Sequence, residues 1–184
     1  MKNKEFEIGF YMSDNDIKEA INMDYDYFSN DFDMGVFSVC KEWQNKNSEI
    51  YITVKKENKL IGYICFMPLK KSTYEKYRKG LLHDNKLSGD DIDIYKPNRK
   101  YRCLFCSIVI KKEYQNGNTI KVLLKALKQK LLELKSRNIE IERVLADCVT
   151  PDGMKLASKL GFKFICKHDG GSIYELNNSP LNLL

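Results

Sequence analysis

The sequence predicts an α+β fold, a central sheet flanked by helices, in a single domain. Three observations carry this reading. Runs of strand length rich in β-branched and aromatic residues recur along the chain, several of them joined by turn-forming residues. One stretch, residues 118–134, changes to helical periodicity, with Ile120, Leu123, Leu124, Leu127, Leu131 and Leu134 on one stripe. A length of 184 residues suits one core of ordinary size.

In order, residues 4–11 alternate as a first strand. Ser13 reads as the N-cap of a helix to about Met23, with Asp16 in an acidic first turn. Residues 24–37 crowd Tyr25, Tyr27, Phe28, Phe32 and Phe37 among Asp24, Asp26, Asp31 and Asp33. They read either as a loop covering one end of the core or as an acid-rimmed aromatic wall for a cationic amine. A second helix is expected from about Met34 to Asn45. Residues 48–56 and 59–67 form a hairpin across Glu57 and Asn58. Pro68 is expected to stop its second strand, since proline lacks the N–H of a ladder. Residues 69–100 read as an insertion: a short helix over 74–82, then acids and turn residues without periodicity. Such segments act as lids, as binding loops or as surface excursions, and Asp90, Asp91 and Asp93 would carry negative charge there.

Residues 101–110 (YRCLFCSIVI) are almost continuously apolar, as in a strand buried on both faces. A short polar loop with one glycine then opens directly into the amphipathic helix. That order of strand, turn and helix start suits a phosphate group, because the first turn leaves N–H groups unpaired at the positive end of the helix dipole. Lys121 in that turn opposes the dipole, and a bound anion would relieve the conflict. Residues 142–148 form another strand. Thr150 and Pro151 start a short helix that Gly161 ends. Residues 162–167 and 172–176 close the chain as a hairpin, with His168 read as a surface residue of its turn and 177–184 as a loose tail.

The six cysteines are scattered through apolar segments. Cys103 and Cys106 stand three apart in a strand and so point to opposite faces; reduced thiols and no metal site are expected. A net charge of +6 favours an anionic ligand, but no reading motif accompanies it, so no nucleic-acid partner is expected. No apolar run approaches the ~20 residues of a membrane span, and the N-terminus lacks the pattern of a signal peptide. The cytoplasm is the expected compartment, with no membrane partner.

Two segments, SIVIKKEYQNGNTIKVLL and TPDGMKLASKLGFKF, resemble the acyl-CoA motif and the second motif of the GNAT N-acetyltransferase family. The order of elements is similar along nearly the whole chain apart from the insertion and the tail. The family's loop has Arg or Gln, two free positions, Gly, one free position, then Gly or Ala. Laid on this chain it falls on Gln115, Asn118 and Ile120, with Asn118 supplying the left-handed backbone of the family's Gly. Ile120 departs from the pattern. A shift by one puts Gly117 at the Gly and Tyr114 at the Arg position.

The resemblance implies a central mixed, largely antiparallel sheet in which two parallel strands, 101–110 and 143–148, splay apart. It implies acetyl-CoA as acyl donor, held along Ile108, Val109 and Ile110 and by the amides of Gln115, Asn116, Gly117, Asn118, Thr119 and Ile120. The reaction would be direct acetyl transfer to a primary amine of a small molecule or a protein, with a homodimer compatible. The tyrosine that serves many members as general acid falls on Ala157, so another group or solvent would protonate the leaving thiolate. The amine must also lose a proton to a base or water relay, for which Asp147 and Cys148, at the mouth of the splay, are the candidate catalytic groups. The departures at Ile120 and Ala157 also admit an inactive acyl-CoA-binding module. A nucleic-acid binder using the lysine-rich helix is a third reading, without a motif to support it.

Overall fold

The computed structural model describes residues 6–28, 35–115, 117–168 and 170–177. Its elements are β1 (Glu7–Gly9), α1 (Asp14–Phe28), α2 (Gly35–Lys46), β2 (Tyr51–Lys56), β3 (Lys59–Leu69), α3 (Lys71–Arg78), β4 (Arg99–Ile110), α4 (Asn118–Ser136), β5 (Ile139–Cys148), α5 (Pro151–Lys159), β6 (Lys163–His168) and β7 (Gly171–Leu176). The strands form one sheet in the order β1-β2-β3-β4-β5-β7-β6. Every pairing is antiparallel except β4 with β5. The mixed, largely antiparallel sheet with one parallel pair is therefore present.

Strand alternation sorts the core into two layers. Tyr63, Leu104, Val109 and Leu145 face α1, α2 and α3. Ile64, Cys103, Val144 and Ala146 face α4 and α5. Cys103 and Cys106 go to opposite layers, and all six cysteines are free thiols. No helix among the described residues is long and apolar enough to cross a membrane.

A reciprocal cap starts α1: Asp16 N donates to Ser13 Oγ at 3.2 Å and Ser13 N to Asp16 Oδ2 at 2.8 Å. The helix continues past Met23 to Phe28, where the sequence suggested a loop, because the stripe of Ile17, Ala20, Ile21 and Tyr27 keeps helical spacing against the sheet. The expected Asp31, Phe32 and Asp33 lie outside the described residues. Glu57 and Asn58 take φ of 51° and 62°, the paired left-handed conformation of a tight hairpin turn.

Pro68 does not end β3. It pairs with Cys103 and the strand runs on to Leu69. Its carbonyl accepts from Asp93 N at 2.9 Å, on the side away from β4. The missing N–H points the same way, past the end of β2, where the ladder requires no donor.

Residues 69–100 are core rather than surface excursion. Tyr74, Tyr77 and Ile92 are completely buried, Leu87 nearly so, and Leu69 bridges to Ile92. Asp91 is consumed locally, accepting from Ser88 N at 3.0 Å and Thr73 Oγ1 at 2.8 Å. Asp90 is exposed beside Lys46, and Asp93 accepts from Ile94 N. None of these three acids reaches the site described below.

The buried seam of α4 runs through Thr119, Leu123, Ala126, Leu127, Lys130, Leu131 and Leu134, with Ile120 and Leu124 only half-buried. Lys130 lies in this seam because Glu49 and Glu133 pair with it at 2.5 and 3.0 Å.

Candidate active site

The parallel pairing of β4 and β5 runs from Arg99↔Ile139 to Phe105↔Ala146 and stops. Beyond that point β4 follows β3 as far as Ile110, while β5 follows β7 as far as Cys148. Cys106 is an extra residue in β4, since Phe105 opposes Phe66 and Ser107 opposes Cys65. Such a bulge bends its strand, here away from β5. The gap is a small, mostly apolar cleft of about 60 Å³, walled by residues 105–108 and 146–148 and floored by Leu156, Ala157 and Phe162. Two of the expected cofactor residues, Val109 and Ile110, lie beyond it on β4, and Ile108 lines it.

The start of α4 follows directly. Gly117 is its N-cap with φ 76°, no side chain caps it, and a Cβ there would meet nothing within 4 Å. Asn118 is the first helical residue, Thr119 is completely buried, and Ile120 is half-buried. Thr119 Oγ1 has no partner among the described residues. Asn116 lies outside the described residues. The Gln115 carboxamide turns inward: its Nε2 donates to Tyr27 Oη and, at 3.2 Å, to the Ile110 carbonyl, which also accepts from Tyr27 Oη at 2.7 Å. Gln115 and Tyr27 together close the end of β4.

A group of titratable side chains gathers on the other face of the sheet. Asp147 Oδ1 and His168 Nε2 lie 2.7 Å apart, and Tyr77 Oη donates to Asp147 Oδ2 at 2.8 Å. Both members of the Asp147–His168 pair are over nine-tenths buried, at 8% and 6% side-chain exposure. The turn reading of His168 is thus corrected: it ends β6, and its ring is held against β5. His83 stacks on it with ring centroids 4.5 Å apart, and the buried His83 Nδ1 has no partner among the described residues.

One ligand atom from each of His83, Asp147 and His168 lies within 4.8 Å of the other two, a grouping a metal ion could use. The 2.7 Å contact has the length of a hydrogen bond, however, and two ligand atoms on a tetrahedral zinc stand about 3.3 Å apart.

Asp84, next in the chain to His83, is open to solvent, yet burial of its carboxyl among neighbouring groups and the charge of Asp147 raise its pKa. Both hold for a group on the wall of a cleft, which water reaches and protein surrounds. Asp24, on α1, accepts from Tyr63 Oη at 2.6 and 2.7 Å. Burial pushes its pKa up to about 7, with the Tyr63 bond opposing and the Asp84 charge adding. Cys148 turns to the opposite core layer, where burial, and secondarily the Asp147 charge, raises its thiol to about 12. Of the two expected catalytic groups, only Asp147 belongs to this cluster.

No protein-family model matches the chain, and no curated protein does. Solved structures do. A Pyrococcus horikoshii protein superposes with a TM-score of 0.62 at 18% identity, covering 95% of this chain and 99% of its own. An N-acetyltransferase from Staphylococcus aureus gives 0.56 at 13%, covering 94% and 98%. An N-acetylglutamate synthase from Neisseria gonorrhoeae, complexed with coenzyme A and L-arginine, gives 0.55 at 13%, with 96% of this chain matching 34% of that one.

The chain has the GNAT fold.

On the GNAT framework the backbone corrects the loop register. The left-handed residue is Gly117 and not Asn118, so the family's Gly falls on Gly117 and its closing small residue on Thr119. The awkward Ile120 no longer occupies that position. The Arg position moves to the half-buried Tyr114, whose ring has Lys56 Nζ 5.7 Å from its centroid. His83, Asp84, Tyr63 and Tyr77 were not found from the sequence. The chain has only two histidines, and the structure alone shows that they meet at a single point.

Proposed function

We propose that the chain is a one-domain, cytoplasmic N-acetyltransferase that moves an acetyl group from acetyl-CoA to a primary amine of a small molecule or protein. The observation that carries this reading is a splayed strand pair with a helix start following β4 and a titratable cluster beside the splay on the other face of the sheet. The residues present fit an acyl-CoA: β4 beyond Phe105 gives an apolar lane, and Gly117 leaves the approach to the first turn of α4 clear of side chains. When bound, acetyl-CoA would supply its acyl group as a thioester. The chain's own part is to align the amine, exclude water and take a proton, because an ammonium must deprotonate before it attacks. Asp147 and His168 provide a carboxylate and imidazole in contact for that transfer, with Tyr77 fixing the carboxylate.

One observation favours the second reading, an acyl-CoA-binding module without turnover: Ala157 stands where many GNAT members carry their acid. Calorimetry with acetyl-CoA and thiol release over an amine panel test both. Binding with thiol release supports the enzyme. Binding with no release above background for any amine supports the module, and no binding refutes both.

A further inference from the structure

Among the described residues no lysine or arginine stands within ion-pair distance of Asp24, Asp84 or Asp147. That is unusual in a chain with 31 lysines and arginines and a net charge of +6, whose acids elsewhere are paired repeatedly. Asp147 is over nine-tenths buried and Asp24 half-buried, and carboxyls so placed are ordinarily matched by a cation; Asp84 is exposed beside them. These three come from α1, the segment after α3, and β5. They share one face of the sheet: His83, next in the chain to Asp84, stacks on the His168 ring that contacts Asp147, and Asp24 is held there by Tyr63 of β3, close enough for the Asp84 charge to act on it. Tyr63 and Tyr77 bind the acids at its two flanks, and the stacked His83 and His168 complete the wall.

We infer that this cleft is the acceptor site, and that its ligand is a small amine with two positive charges separated by an alkyl chain, a diamine or polyamine. The inference rests on the proposed transfer reaction and names its acceptor. A monoamine loses its only charge when it becomes nucleophilic, and the attraction to the carboxyls goes with it. A second ammonium keeps that attraction through the reaction. The two flanks supply the two roles. Asp147 and His168 take the proton from the reacting nitrogen, so that R–NH₃⁺ becomes R–NH₂ and the proton passes to the imidazole–carboxylate pair. Asp24 and Asp84 hold the ammonium that stays charged. Tyr63 and Tyr77, buried beneath, fix the carboxyls through their hydroxyls.

The test uses the full chain with 1,4-diaminobutane, butylamine and 4-aminobutanoate as acceptors, and calorimetry of each with and without acetyl-CoA. The diamine is expected to show kcat/KM at least about tenfold above the other two, as expected for a charge-assisted contact. Asp84→Asn alters an exposed side chain and should leave the fold intact. It is expected to raise KM for the diamine by about tenfold or more while acetyl-CoA affinity stays within about twofold. Equal rates for butylamine and the diamine, or an unchanged KM in Asp84→Asn, would overturn the assignment. Stoichiometric zinc binding that His83→Ala and His168→Ala abolish, and that the diamine does not displace, would also overturn it by making the cluster a metal centre. Absence of acetyl-CoA binding refutes the transfer reaction, whereas diamine binding measured alone still decides the acceptor site.

Discussion

Asp24 links the stability of the fold to the proposed acceptor site. Its carboxyl is raised from 3.8 to about 7 by burial, against a smaller lowering by the Tyr63 hydrogen bond and with a still smaller rise from the charge of Asp84. The folded state therefore holds a proton that the unfolded state has released between about pH 4 and pH 7. In that window the unfolded chain binds fewer protons, so stability falls as pH rises; below and above it the contribution is flat. A change from 3.8 to about 7 corresponds to roughly 4 kcal/mol. Asp24→Asn removes this titration and still accepts a hydrogen bond from Tyr63. Urea unfolding of both proteins from pH 4 to pH 8 measures the effect. The stability of the variant minus that of the parent should increase by up to about 4 kcal/mol across the range, most of it before pH 7. Asp84→Asn provides a second background, in which the rise is smaller because one like charge has gone. A difference that stays flat within about 0.5 kcal/mol would refute the burial argument. The stabilised variant should also bind the diamine more weakly, the usual opposition between stability and function at a binding site.

Three further outcomes test the frame around the site. Gly62→Ala would place a Cβ 3.2 Å from Leu123 Cδ1 and from the Val109 carbonyl; it should cost about 1–3 kcal/mol in urea unfolding by wedging α4 from the sheet. Gly117→Ala meets no atom within 4 Å, so its cost of about 1 kcal/mol comes from φ 76° alone, and calorimetry should show weakened acetyl-CoA binding. Glu49→Ala strips Lys130, only 10% exposed, of its 2.5 Å partner, and should cost about 2–3 kcal/mol, against about 0.5 for the more exposed Glu133→Ala. Burial opposes ionisation of Glu49, but Arg137 and Lys130 outweigh it and hold its pKa below 4.5, so this contribution is present at neutral pH and fades as pH falls through that lowered value.

Elements with strong local chemistry were legible. The hairpin followed from β-rich runs around Glu57 and Asn58, the first helix from Ser13 and Asp16, and α5 from Thr150 and Gly161 at its ends. Errors arose where tertiary context decided. Pro68 was read as a stop because sequence does not show that β2 ends before it. Within 69–100 a short helix is legible and is found as α3 (Lys71–Arg78), but the part beyond it is irregular in sequence because its buried side chains, Leu87, Ile92 and Tyr95, follow neither strand nor helix periodicity. The same division runs through the site. The loop into α4 is one continuous segment and left a motif, although the position of Gly117 needed the backbone to settle it. The acidic cleft draws Asp24, His83, Asp84, Asp147 and His168 from four separated parts of the chain, and no spacing rule joins them.

The anchoring of α3 limits how acceptor preference can change. Tyr74 Oη donates to Glu175 of β7 at 3.0 Å, Arg78 Nε reaches the same oxygen at 2.9 Å, and Tyr77 is tied to Asp147 of β5. The segment that delivers His83 and Asp84 is thus bolted to two interior strands, with Tyr74 and Tyr77 fully buried and Arg78 at the rim. Replacing it wholesale with a loop from another protein of the GNAT fold would remove part of the core together with the proposed acceptor site, and such grafts should fail to fold. Divergence, natural or engineered, is channelled into point substitutions at the half-exposed His83 and the exposed Asp84, which can be retuned while the tyrosines beneath them stay in place.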